Sequence, residues 1–325
     1  MVLGQLRVGD GTTDVYEIAW SPDGLFVALA TTDNSICLIS VQLPLKLIKI
    51  VKDHQHFCQG VAWDPFGQIL ATASCDRSFK VLIACPVELS SKSKGFPKLY
   101  TSSLGKIKGG EDETLISFFR RLGFSNDGSF LFLPSFVQQG AKGIGIVNRN
   151  ALHTNTVSDF IPLPPNSKPV IAIRPHPFLF TSDNSLGYRS VFAAITLDTV
   201  FLFDTRQYPT ALFTITGLHY SALTDASWSA DGLMLFVSST DGFCSVLCWE
   251  MTDFCSEPLD PIEQNDIISS RLECSRAAWS KRKVTTKRRR DDTSASIHAI
   301  NNADEGQKEN LPPTSDILMS DLQIE

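Results

Sequence analysis

The sequence predicts an all-β chain built as a β-propeller. Three observations carry this. A five-residue pattern recurs as Trp20-Ser-Pro-Asp-Gly24, Trp63-Asp-Pro-Phe-Gly67 and Trp228-Ser-Ala-Asp-Gly232, with Phe124-Ser-Asn-Asp-Gly128 as a fourth version. Trp20 and Trp63 stand 43 residues apart, the length of a four-stranded propeller blade. Asp33, Asp76 and Asp241 each follow their tryptophan by 13 residues. The runs between these points are short, rich in Val, Ile, Phe and Thr, and apolar at nearly every position. Strands covered on both faces read that way, as they do in stacked blades.

Five blade-like units follow in order, over about 14–51, 54–85, 118–148, 168–205 and 219–250. In the first, Trp20 ends a strand and Asp23-Gly24 makes the turn. Pro presets φ, the aspartate holds nearby amides and glycine accepts positive φ. Asp33 marks the next turn. The second unit repeats this with Trp63 and Asp76, and Ile69 to Ile83 shows the pattern in full. Residues 86–114, with SSKSKG and KGGEDE, read as an insertion loop. The third has Phe124 and Asp127-Gly128. Ahead of it lie Arg120 and Arg121. Adjacent residues on a strand point to opposite faces, so one arginine is expected at the rim, where a partner's carboxylate would meet it. A structural salt bridge is the alternative. In the fourth unit, Ile171 to Pro177 is a strand and a longer insertion replaces the short turn before Ser190 to Thr205. The fifth has Trp228, Asp231-Gly232 and Asp241.

Bulk properties narrow the function classes. The chain has 325 residues, 43% hydrophobic and 20% charged, with a formal charge of −6. That composition is globular, and any basic site must be local. The start, MVLGQLRVGDG, lacks the apolar core of a signal peptide. No run reaches the roughly 20 apolar residues that span a bilayer. The eight cysteines form no CxxC pair and never combine with histidine at zinc-ligand spacing. Cys244 and Cys248 are expected to face the core as small hydrophobes, in a reducing compartment.

Enzyme signatures such as GxSxG, HExxH and GxxxxGK[ST] are missing from the sequence. His54 and His56 could begin a metal site. But His54 is nine residues before Trp63, as His219 is before Trp228, and a repeated offset favours a structural role. His176 sits between two prolines with no candidate partner. Asp225, Asp231 and Asp241 cannot be placed as a carboxylate pair, and they match turn positions of other blades rather than an acid–base couple. No catalytic residue, metal site or cofactor is expected.

The repeats resemble WD-repeat blades, in degenerate form; Phe203-Asp204 is the nearest match to the Trp-Asp that names them. Four stretches go further: Asp14 to Gly24, Gln59 to Val81, Ser117 to Phe130 and His219 to Ser245. Together they resemble the middle, WD-repeat subunit of chromatin assembly factor 1 over residues 14–250, and HIR-type chaperones share part of the set. The resemblance implies a nuclear, non-enzymatic histone chaperone subunit. Its complex deposits newly made core histones on replicating or repaired DNA. Implied partners are the large and small subunits of that factor, an anti-silencing-function type chaperone and core histones. A membrane or sequence-specific nucleic acid is not among them. A HIR-type, replication-independent chaperone subunit is the second reading; a generic adaptor, such as a substrate receptor of a ubiquitin ligase, is the third. The family's propeller has seven blades, two of them ahead of the DVYxIxW unit. The resemblance therefore implies an N-terminally truncated propeller over residues 1–250, with about five blades of seven and two open sheet faces.

Residues 251–325 are polar without a repeating apolar period and are expected to be disordered. Within them, Lys281, Arg282, Lys283, Lys287, Arg288, Arg289 and Arg290 form a basic run. It reads as a nuclear localisation signal, as a solvated charge cluster, or as a docking strand. The last rests on the resemblance, in which an Arg-Arg-Ile/Val segment adds to a sheet edge of the anti-silencing chaperone; Arg282-Lys283-Val284 matches in part. Weak contact with DNA phosphates is a further possibility. Lys308-Glu-Asn310 resembles a cell-cycle degron, a three-letter word that chance supplies easily.

Overall fold

The computed structural model describes residues 13–42, 44–87, 98–110, 117–183, 187–254 and 257–273. Its strands form five antiparallel sheets, taken up in chain order. Blade 1 holds β1 (Val15–Trp20), β2 (Phe26–Thr31), β3 (Ile36–Ser40) and β4 (Lys46–Val51). Blade 2 holds β5 (Cys58–Trp63), β6 (Ile69–Ser74), β7 (Ser78–Val87) and β8 (Lys98–Lys108). Blade 3 holds β9 (Gly123–Phe124), β10 (Phe130–Gln138), β11 (Ala141–Asn148) and β12 (Asp159–Pro162). Blade 4 holds β13 (Val170–Thr181), β14 (Tyr188–Thr196), β15 (Thr199–Asp204) and β16 (Ala211–Thr216). Blade 5 has three strands, β17 (Leu223–Trp228), β18 (Met234–Ser239) and β19 (Cys244–Cys248). The first strand of each blade neighbours the first strand of the next, so these strands surround the axis of a propeller.

The repeated turn follows from its residues. In blade 1, Ser21 Oγ accepts from the Phe26 amide at 2.9 Å and donates to Asp23 at 2.5 Å, while Asp23 accepts from the Leu25 amide at 3.0 Å. Gly24 closes the turn at φ 68°, a conformation glycine adopts without steric cost. Ser125 with Asp127 and Ser229 with Asp231 repeat the arrangement. In blade 2 an aspartate replaces the serine. Asp64 accepts from the Gln68 and Ile69 amides, both at 2.7 Å, and pairs with Arg149 of blade 3, also at 2.7 Å.

Apolar side chains fill the spaces between blades. Phe26, Leu38, Trp63 and Leu70 join blades 1 and 2. Phe132, Ile144, Phe192 and Phe201 join blades 3 and 4. Ile171, Val191, Leu235 and Val237 join blades 4 and 5. The outward faces of blades 1 and 5 differ. Across blade 1, Ile18, Leu29, Cys37 and Ile50 form one cross-strand row, and Trp20, Val27, Ile39 and Leu47 a second. Ile18 is 57% exposed and Trp20 61%. On blade 5, Phe236 and Val246 share a row with Ser227, and both are exposed.

Trp20, one of the repeated blade aromatics, lies on the open face of blade 1, in keeping with the open sheet faces expected of an incomplete ring. Several expectations are corrected by this architecture. Cys244 and Cys248 are exposed rather than core residues, because β19 turns them to the open face of blade 5. The insertion loop expected over 86–114 supplies β8, which pairs along the length of β7. Lys98–Lys108 has the Leu, Tyr, Thr and Ile content of a strand, and pairing outweighs its polar flanks. Strands β12 and β16 likewise extend blades 3 and 4 beyond the expected limits. Order also continues past residue 250. Phe254 is fully buried against Phe180, Trp228 and Trp249. Leu259 N donates to Leu179 O at 2.8 Å and Thr181 N to Glu257 O at 3.0 Å, and a helix begins at residue 261.

Candidate functional site

Four charged side chains meet at the axis. Glu17, Arg121 and Asp225 stand three residues before Trp20, Phe124 and Trp228, so equivalent positions of blades 1, 3 and 5 deliver them. Arg174 arrives from β13. Arg121 Nε donates to Glu17 and lies 3.5 Å from Asp225, and its Nη1 donates to Thr224 O at 2.7 Å. Arg174 grips Asp225 through two bonds of 3.0 and 2.9 Å and reaches Ala226 O at 3.1 Å. Such bidentate pairs fix geometry as well as charge. Burial pushes the Glu17 carboxyl above its ordinary value, against the pull of Arg121 and Arg174.

The backbone around Arg121 explains its placement. Arg120 N donates to Gln59 O at 3.1 Å, and Arg121 N to Ile171 O at 2.8 Å. The segment is thereby laced between the inner strands of blades 2 and 4. Blade 2 carries Gly60 at the position equivalent to Arg121. A Cβ there would fall on the Arg120 carbonyl oxygen, so only glycine lets the segment approach. The rim position expected for one arginine is therefore corrected. Arg120 is 1% exposed, and the Arg121 guanidinium faces the axis over the Phe119 ring at 3.9 Å. The two do point to opposite sides, but both sides are interior.

The histidines pair with turn carboxylates. His54 Nδ1 donates to Asp76 at 3.0 Å and its Nε2 meets the Thr72 hydroxyl at 2.8 Å. Burial works against the Asp76 charge, yet bonds from His54, Ser78 and the Gln55 amide hold its carboxyl well below the usual range. His219 repeats the contact to Asp241 at 3.1 Å. Asp33 accepts from Thr31 and Ser35. His176 is wholly buried; its Nδ1 accepts from Phe178 N and its Nε2 donates to Gly232 O, both at 3.0 Å. Burial lowers its pKa to about 4.

These geometries describe loop and blade-to-blade fastening rather than a reaction centre. No three His, Cys, Asp or Glu side chains among the described residues are placed to hold a metal ion, and no helix there is long and apolar enough to cross a membrane. Lys281, Arg282, Lys283, Val284, Lys287, Arg288, Arg289, Arg290 and the Lys308–Asn310 stretch lie outside the described residues. The axial set is missing from the turn pattern, which groups Asp225 with turn residues and is silent on Glu17 and Arg174. The signal that could have found it is a charge three residues before the blade aromatic in three of the blades.

Residues 5–254 match the model of the CAF1B/HIR1 beta-propeller domain. The chain is 34% identical over 262 residues to the chromatin assembly factor 1 subunit FAS2 homolog of Oryza sativa subsp. japonica, covering 73% of this chain and 51% of that protein. It is 35% identical over 282 residues to a chromatin assembly factor 1 subunit of Saccharomyces cerevisiae, covering 75% and 57%. It is 26% identical over 283 residues to Protein HIR1 of Mycosarcoma maydis, covering 86% of this chain and 25% of that protein. The chain spans about half the length of the curated relatives it matches.

Proposed function

Because the chain belongs to the family of the CAF1B/HIR1 beta-propeller domain, we propose that it is a non-enzymatic scaffold subunit of a histone chaperone of the chromatin assembly factor 1 type. The observation that carries this is that chromatin assembly factor 1 subunits of rice, chicken, mouse and Saccharomyces cerevisiae match at 31–35% identity, against 26% for two HIR1 proteins, with the Schizosaccharomyces pombe subunit between them at 28%. The charge set at the axis supports a scaffold role, since its polar groups are spent on one another. On this reading the chain works in the nucleus, in replication- and repair-coupled nucleosome assembly. Its partners are the large and small subunits of the factor and an anti-silencing-function type chaperone that passes on core histones. The basic run 281–290 serves nuclear import, and Arg282-Lys283-Val284 is the segment that docks on that chaperone's sheet edge.

Affinity purification of the tagged chain from nuclear extract, read by mass spectrometry, tests the assignment. Recovery of the large and small subunits is expected. HIR complex members in their place would move the chain to the replication-independent class. Ubiquitin-ligase adaptors alone would overturn both.

A further inference from the structure

Three aromatic rings from separate blades meet at the inner rim of the loop side. Tyr16 lies near the start of β1, Phe57 directly precedes β5, and Phe118 lies in the segment before β9. Tyr16 and Phe57 stand edge to face, 6.3 Å between centroids at 88°; Tyr16 and Phe118 are 5.9 Å apart at 54°. Rings inclined this steeply form a corner rather than a stack. Phe57 is 40% exposed and Phe118 66%. A cluster of exposed aromatics has the composition of a contact surface.

Asp14 sets the charge preference of the corner, and the His56 ring stands against Phe57 at 4.5 Å between centroids. Asp14 is exposed at the lip. Its backbone is fixed by bonds to Thr32, N to Oγ1 at 3.0 Å and O from N at 3.1 Å. Burial first, with Cys75 and Asp14 adding to it, raises the Tyr16 phenol above its ordinary value. In the adjoining inner strand, Gln59 donates Nε2 to Ser117 O at 3.2 Å. That leaves its Oε1 buried without a partner among the described residues. Ring faces and an exposed carboxylate both favour a cation.

We propose that this corner binds a cationic side chain, a lysine ammonium or an arginine guanidinium, carried by an extended segment of another protein. The corner is built from this chain's own loops and needs no particular chaperone assignment. The aromatic faces hold the charge and Asp14 neutralises it from solvent.

Fluorescence anisotropy on the full chain tests this with short labelled peptides of Gly and Ser flanking one central residue. Lysine and arginine peptides should bind at least tenfold more tightly than norleucine or glutamate peptides. The double variant Phe57→Leu/Phe118→Leu should weaken the cationic peptides about tenfold, and Asp14→Asn several-fold. Phe243→Leu, at an exposed ring of blade 5, should change nothing. All four positions are exposed, and an unchanged circular dichroism spectrum verifies the fold. Equal affinity for norleucine, absence of binding by either cationic peptide, or indifference to the double variant would each overturn the proposal.

Discussion

In blade 2, His54 engages both ring nitrogens, one on Asp76 and one on Thr72. In blade 5 the equivalent His219 engages Nδ1 on Asp241 while its buried Nε2 meets nothing among the described residues. One position explains the difference. Nine residues after each blade tryptophan stands Thr72 in blade 2 and Val237 in blade 5. The tryptophans show the reverse. Trp228 Nε1 donates to Arg174 O of blade 4 at 3.0 Å, whereas Trp63 Nε1 is buried without a partner among the described residues. At these two positions blade 2 is fastened from within, while Asp64 ties it to Arg149 of blade 3; blade 5 is fastened at them by blade 4, through Arg174 and His176. The same turn signature thus fixes the loop in both blades without fixing how the blade is held.

The axis offers the largest way to break the contrast. Blade 5 supplies Asp225 there and blade 2 only Gly60. Replacing Arg121 with Met leaves Glu17 and Asp225 near each other with Arg174 as the remaining cation. Removing one partner from a largely buried set of charges costs about 3 kcal/mol, which a lowered urea midpoint would record. The loss should fall on the contacts of blades 1 and 5. Amide exchange should therefore rise in β1 and β17 before it rises in β6. Uniform acceleration across all blades would show that the network carries no such local role.

His176 carries the next effect, because it ties blade 4 to the turn of blade 5. Its folded pKa of about 4 lies below the unfolded value near 6.5. The folded protein therefore binds fewer protons in between, and its stability falls as pH drops through that window. Stability is fully present above about pH 6.5 and falls by up to about 3 kcal/mol by pH 4. His176→Gln should flatten this limb of a stability–pH curve and lower the plateau near neutrality. A slope that survives the substitution would assign the titration to another group.

The two locks should also separate by mutation. His54→Ala leaves Asp76 and Thr72 buried and short of a bond, at about 2 kcal/mol. His219→Ala removes a ring whose second nitrogen is already unpartnered, so its thermal midpoint should fall less. Equal shifts would mean that the Thr72 contact adds nothing.

What is legible in the sequence follows from spacing. Asp-Gly turns and the His–Asp offset repeat at fixed distances because each blade closes the same local loops, and local hydrogen bonds leave local patterns. The Arg121 contacts run over about a hundred residues to Glu17 and Thr224 and leave none. Strands β8, β12 and β16 are hidden for a related reason. Outermost strands pair on one side only, and their polar content resembles that of loops. Trp20 is exposed and Trp63, at the equivalent position, is buried, because the repeat sets the residue while burial depends on which sheet lies opposite. Order in 251–254 and 257–271 rests on Phe254, a few backbone bonds to β13, and the contacts of Gln264 with Leu179 and of Arg271 with Tyr188, too few residues to create a period.

The smallest effect tests the comparison most directly. Thr72→Val in blade 2 recreates the blade 5 arrangement, leaving His54 Nε2 without its hydroxyl, at about 1 kcal/mol. Val237→Thr in blade 5 supplies the hydroxyl that His219 lacks. Val237 is fully buried, so the added oxygen must find a bond or lose free energy to desolvation. Threonine is close to valine in shape, and in blade 2 the same residue reaches the ring at 2.8 Å. The gain should therefore be about 0.5–1 kcal/mol. It should vanish in a His219→Ala background, where the hydroxyl has no ring to meet. A double-mutant cycle measures that coupling. A coupling energy of zero would mean that the two blades differ for reasons other than this one side chain.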